Sequence, residues 1–102
     1  MTIDVQDRPD GDRFEVTVDG APAGSLSYRL DPDRISFTHA EVDPAFGGRG
    51  VGSALAAYAL DDARARGLAV LPDCPFVSSY VAKNPEYVEL VPVELRARYG
   101  LT

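Results

Sequence analysis

Gly47, Gly48, Arg49, Gly50, Val51 and Gly52 stand side by side, and together they suit the binding of an anion. Glycines put no Cβ in a ligand's way and reach the positive φ that a tight turn needs. A helical pattern starts at Gly50. The unpaired N–H groups of a helix start, and the positive end of its dipole, therefore fall on the same spot. An extended segment, a glycine turn and a helix N-terminus in that order suit a phosphate or pyrophosphate. The alternative is a glycine-rich turn that only redirects the chain. Arg49 adds a charge near the phosphates or lies in solvent. The Ser53 hydroxyl meets a phosphate at the helix start or faces water.

Two further residues invite chemistry, because His39 is the only histidine and Cys74 the only cysteine. An imidazole exchanges protons near neutral pH and suits general-base work. A lone histidine on a strand is more often a structural hydrogen-bonder. Glu41, two residues on, orients His39, acts as a base through water, or is a solvated carboxylate. Cys74 comes just before a predicted helix start, which favours a thiolate, while Asp73 beside it opposes one. A thiol there serves as a nucleophile, as a proton donor, or as a small buried apolar group.

The elements that must position these residues read as follows. Ile3 to Arg8 alternates, and Pro9-Asp10-Gly11-Asp12 is turn chemistry. Phe14 to Val18 puts Phe14, Val16 and Val18 on one face. Asp19-Gly20 signals a hairpin. Ala23 to Leu30 follows, with Leu26, Tyr28 and Leu30 on one face. Arg34 to Val42 alternates again, which predicts Ile35, Phe37, His39 and Glu41 on one side and Ser36, Thr38, Ala40 and Val42 on the other. A helix from about Gly50 to Arg66 places Val51, Leu55, Tyr58, Ala59 and Asp62 near one stripe, and Gly67 ends it. Leu68 to Leu71 reads as a strand buried on both faces. A shorter helix runs from Pro75 to Lys83, and the tail from Val88 to Tyr99 is partly helical at best. This order predicts an α/β sheet with an antiparallel half. Its one parallel pair joins the strands on either side of the long helix.

The length of 102 residues fits one domain, 1–102. The formal charge is −6 and Lys83 is the only lysine. That balance argues against nucleic acid and anionic membrane surfaces as partners. A single cysteine permits no intrachain disulfide, which suits a reducing compartment. The N-terminal residues carry acids and no apolar core, unlike a secretory signal, and no stretch approaches a membrane span. The expectation is a cytoplasmic protein, monomeric or a weak homodimer.

His39-Ala40-Glu41-Val42, the glycine turn, Pro72-Asp73-Cys74-Pro75-Phe76-Val77, Tyr80 and Asn84-Pro85-Glu86-Tyr87 together resemble the small, minimal members of the GNAT superfamily of acetyl-CoA-dependent N-acetyltransferases. With the strand order, the likeness covers about residues 3 to 92. Gly50 and Gly52 match the superfamily's pyrophosphate motif, whereas Gly47 stands where Gln or Arg is usual, which puts one side-chain contact in question. The resemblance implies a mixed, mostly antiparallel α+β sheet flanked by two helices. It implies acetyl-CoA as cosubstrate, no metal, and an amine acceptor on a small molecule or protein. It places Cys74, His39 and Glu41 in catalysis. It places Val42, Gly47, Gly48, Arg49, Gly50, Val51, Gly52, Ser53 and Tyr80 at the coenzyme, with the Val42 amide facing the acetyl carbonyl and Tyr80 a second candidate proton donor. The pantetheine arm is expected between the two parallel strands. The alternative is a non-catalytic acetyl-CoA-binding module, since a chain this short has little from which to build an acceptor groove.

Overall fold

The computed structural model describes residues 1–101. Its strands are β1 (Ile3–Arg8), β2 (Arg13–Val18), β3 (Ala21–Leu30), β4 (Arg34–Val42) and β5 (Ala69–Leu71). Its helices are α1 (Val51–Ala65) and α2 (Pro75–Lys83), followed by short 3-10 turns. The five strands lie in chain order across one mixed sheet. The first four pair antiparallel, and β5 pairs parallel with β4. The fold is α+β, with the single parallel pair where the sequence predicts it.

Local chemistry sets the turns. Asp19 and Gly20 both have positive φ, as a two-residue hairpin linking right-twisted strands requires. Gly50 caps α1 in the left-handed conformation, at φ 76°. At the other end Gly67 is also left-handed, at φ 69°. There the Leu68 amide donates to the Ala63 carbonyl and the Gly67 amide to that of Arg64. That pair of bonds satisfies the last carbonyls and stops the helix.

Phe14, Leu26, Ile35 and Phe37 from the sheet meet Val51, Leu55, Ala59, Leu60 and Ala63 from α1 in one core. Burying a side chain the size of Leu55 or Leu60 contributes about 1.5–3 kcal/mol, and the alanines of α1 let it lie close to the strands. Tyr58, expected on the buried stripe, is 45% exposed, with its ring set edge-on to that of Phe14 at 6.0 Å between centroids. Asp62 is half-buried and pairs with Arg66 on the next turn.

The phase of β4 differs from simple alternation. Ser27 pairs with His39 but Tyr28 pairs with Phe37, so Thr38 is an extra residue, a bulge. The Thr38 hydroxyl donates to the Ser27 carbonyl and spans it. Beyond the bulge the faces exchange. Phe14, Leu26 and Ala40 form one row on the covered face; Val16, Gly24 and Val42 form the next. Arg13, Ser27 and His39 form a row on the opposite face, beside Glu15, Ser25 and Glu41. His39 and Glu41 therefore do not share a face with Ile35 and Phe37.

Strand β5 is also less enclosed than its apolar run predicts. It is an edge strand in which Val70 is fully buried and its two neighbours only partly.

Candidate functional site

Asp43 leaves β4 and caps a short turn over Pro44–Phe46, its Oδ1 accepting the Ala45 amide at 2.9 Å. Gly48 and Gly50 follow at φ 77° and 76°, each with nothing within 4 Å of where a Cβ would project. The first helical bond runs from the Ala54 amide to the Gly50 carbonyl. The amides of Gly48, Arg49, Gly50, Val51, Gly52 and Ser53 have no hydrogen-bond acceptor among the described residues. Six consecutive donors without a partner thus stand at the positive end of α1, beside the open space at Gly48 and Gly50, a ready site for an anion. Arg49 rests its guanidinium over the Phe46 ring, 5.8 Å from the centroid.

Beside this loop the sheet parts. The parallel pair has only three rungs, ending at Ser36 and Leu71. The buried Ser36 hydroxyl at that last rung has no partner among the described residues, at a cost in desolvation. One more bond holds the strands, from the Cys74 amide to the Phe37 carbonyl at 2.7 Å. Past it, β4 runs on to Val42 with no strand on that side among the described residues. The Asp43 amide bonds back to Ala23 on β3. Alternation along a strand turns the Val42 amide the other way, to the free edge.

Cys74 is 4% exposed and opens α2, its carbonyl accepting the Ser78 amide. Asp73 beside it accepts the Tyr99 hydroxyl at 2.8 Å, which ties the C-terminal turns to the Cys74 loop. A Cβ on Gly52 would sit 2.8 Å from the Phe76 ring and 3.4 Å from Val42 Cγ2. That glycine lets the start of α1 press against both α2 and the end of β4. A small cleft of about 120 Å³ follows the contact, lined by Ser53, Phe76, Ser79, Tyr80 and Lys83. Burial, and then the nearby Glu86 and Asp61, raise the Tyr80 hydroxyl above its ordinary pKa, so it keeps its proton at neutral pH. Lys83 makes no ion pair or hydrogen bond among the described residues.

His39 Nε2 lies 3.0 Å from Glu41 Oε1, on the open face of the sheet, with both side chains well exposed. No hydrogen bond joins this pair to the buried Cys74.

The loop, the parted strands and the two helices have a counterpart among known proteins. A family described as GCN5-related N-acetyl-transferase matches residues 13–90, from the start of β2 to the turn after α2. The chain belongs to that family. Membership in the GCN5-related N-acetyltransferase family supports acetyltransferase activity in general, and the mixed five-stranded sheet with its two helices agrees with the family's fold. No curated protein matches the chain.

The expected site residues thus fall into four places. Gly48 to Ser53 form the donor loop with Gly47 leading into it, Val42 and Cys74 flank the seam, Tyr80 lines the cleft beside the start of α1, and His39 and Glu41 pair on the outer face. Phe76, Ser79 and Lys83, which line the cleft, are not among the site residues expected from the sequence. The signal for them lies in their spacing, since Phe76, Ser79, Tyr80 and Lys83 fall on one stripe of a helix.

Proposed function

We propose that this family member transfers an acetyl group from acetyl-CoA to an amine. The single observation that supports this reading most is the run of six unpartnered amides from Gly48 to Ser53. A pyrophosphate supplies the acceptors such a run lacks, and the open space above Gly48 and Gly50 admits it. Arg49 and Lys83 have no carboxylate partner among the described residues, lie near the loop and suit the remaining phosphate charge. Acetyl-CoA, when bound, supplies an activated thioester.

The chain's residues have the following roles in this reading. The free edge of β4 beside Cys74 receives the extended arm of the coenzyme. The Val42 amide, aimed at that edge, stabilises negative charge on the acetyl oxygen. His39 takes the amine's proton, with Glu41 orienting the ring and stabilising its charged form. As the nitrogen–carbon bond forms and the carbon–sulfur bond breaks, the protonated Tyr80 hydroxyl is the donor towards the sulfur. Cys74, nearly closed to solvent, lines the thioester end, and direct attack by the amine is the favoured route.

Calorimetry with coenzyme A on a Gly50→Val variant tests the binding step. A Cβ at Gly50 meets no protein atom but enters the phosphate approach, and the positive φ strains a valine there, so circular dichroism first selects the folded variant, whose affinity falls severely. Unchanged affinity in a folded variant would remove the loop from the reading. Mass spectrometry after incubation with acetyl-CoA alone tests the route. Direct attack leaves Cys74 unmodified, whereas a stable acetyl group there favours a covalent path. Bound coenzyme with no transfer to any amine favours the binding-module alternative.

A further inference from the structure

The open face of β2, β3 and β4 forms a trough of about 850 Å³, on a chain whose length promises little room for an acceptor groove. Its floor is β3 from Pro22 to Ser25, where the outward side chain is the small Ser25, and the equally small Ser27 follows in the next row. Its walls are the longer side chains of β2 and β4, so Glu15 and Glu41 face each other across Ser25. Adjacent strands lie about 4.8 Å apart, which puts the two carboxylate-bearing strands roughly 10 Å apart.

The trough is polarised. Arg13 and then Arg8 bind Glu15, hold its carboxyl below the ordinary range and neutralise it. The unneutralised negative charge lies on the β4 wall, at Glu41 and Asp43. His39 stands in the next row, beside that wall, with its ring on Glu41.

We propose that this trough is the acceptor subsite and that its occupant is an extended, lysine-bearing peptide segment lying along β3. The proposal rests on the acetyl-transfer reading. The trough is open along its length, so a small amine would be covered on one side only, whereas sites for small molecules enclose most of the ligand. The lining runs from Arg13 to Thr17 along β2, which at about 3.4 Å per residue matches roughly four extended residues. In an extended chain alternate side chains point one way, and the serine floor leaves room for them. Carboxylates on the β4 wall favour basic residues and draw the lysine ammonium to His39, which accepts its proton as the amide bond forms.

Fluorescence anisotropy with a labelled synthetic peptide, one central lysine flanked by arginines, reads the subsite without coenzyme. The wild-type chain binds it. Ser25→Tyr, which fills the floor, and Glu15→Gln, which frees the charges of Arg8 and Arg13, each weaken binding about tenfold, a loss of about 1.4 kcal/mol. Neither changes coenzyme A affinity, which also reports that both variants are folded. No binding by the wild type, or unchanged affinity in both variants, overturns the proposal. Spermidine displacing the peptide at lower concentration than the peptide's own overturns the peptide as occupant. Peptide binding without any acetyl transfer upholds the subsite and overturns the transfer reading alone.

Discussion

Gly24 is where the sheet and the site depend on one missing atom. It pairs with Val42, the residue whose amide faces the seam. A Cβ at Gly24 would lie 2.4 Å from the Glu41 carbonyl oxygen and 3.2 Å from Val42 Cα. Both neighbours are backbone atoms, which no rotamer change can move. In Gly24→Ala, β3 and β4 must part by about 1 Å to bring the 2.4 Å approach to an ordinary contact of 3.4 Å. The Asp43 to Ala23 bond, now 2.8 Å, lengthens with them. Overpacking of this kind costs about 1–3 kcal/mol. For a chain of this size that lowers Tm by roughly 5–20 °C. The sign carries the test, because Gly→Ala at an unstrained position stabilises by about 0.4–1 kcal/mol through the unfolded chain. Gly47→Ala is the control, since its Cβ would meet the Pro44 carbonyl at an ordinary 3.4 Å with φ at −59°. Thermal unfolding followed by circular dichroism should show Gly24→Ala well below the wild type and Gly47→Ala close to it. A Gly24→Ala Tm equal to or above the wild type would refute the reasoning. A second readout follows from Val42, whose displacement should weaken coenzyme A binding in the folded variant.

Two other perturbations have definite signs. Tyr87 is 8% exposed, donates to Asp61 at 2.8 Å, and is pushed up to about 12, first by burial and then by that bond. An unfolded tyrosine ionises near about 10, so the contribution is intact below that pH and is lost between about 10 and about 12. At pH 11 the loss is about 1.4 kcal/mol. Urea titrations at pH 8 and pH 11 should show Tyr87→Phe less stable at pH 8 but with a smaller alkaline drop, and an equal drop in both proteins would count against it. Lys83→Met should weaken coenzyme A binding about 10- to 100-fold, the worth of a charge-assisted hydrogen bond. Dephospho-coenzyme A separates the cases in calorimetry. If Lys83 meets the 3′-phosphate only coenzyme A suffers, and if it meets the pyrophosphate both do. Unchanged affinity for both removes Lys83 from the site.

Much of this molecule is legible in its residues, for reasons that differ by element. Glycines punctuate α1 at both ends, because only they take the left-handed angles found at Gly50 and Gly67 without cost. Pro75 opens α2 and Asn84 closes it. The donor loop is legible because its chemistry is local, in backbone amides a few residues apart. The phase of β4 is not legible, because Thr38 is an ordinary strand former and the bulge belongs to its pairing with β3. Alternation alone therefore puts His39 on the wrong face. The stripe on α2 is hidden for a similar reason. Ser79 and Lys83 look like any solvated helix surface until Gly52 lets Phe76 draw α2 against the start of α1. The trough needs three strands in register, and no single segment announces it.

The strands lie in the sheet in the order in which they leave the ribosome, and this bears on how the protein is made. Each of the first three pairings joins neighbours across a short turn, and such local contacts form quickly. The outer face bearing His39 and Glu41 can thus form as soon as β4 has emerged, before α1 and β5 follow it. The seam is different. Its three rungs wait until the whole of α1 has emerged and β5 has returned to β4. A chain without β5 has its outer face but no parallel pair and no seam, and β5 with its few rungs should be the first part of the sheet to detach when the finished protein breathes.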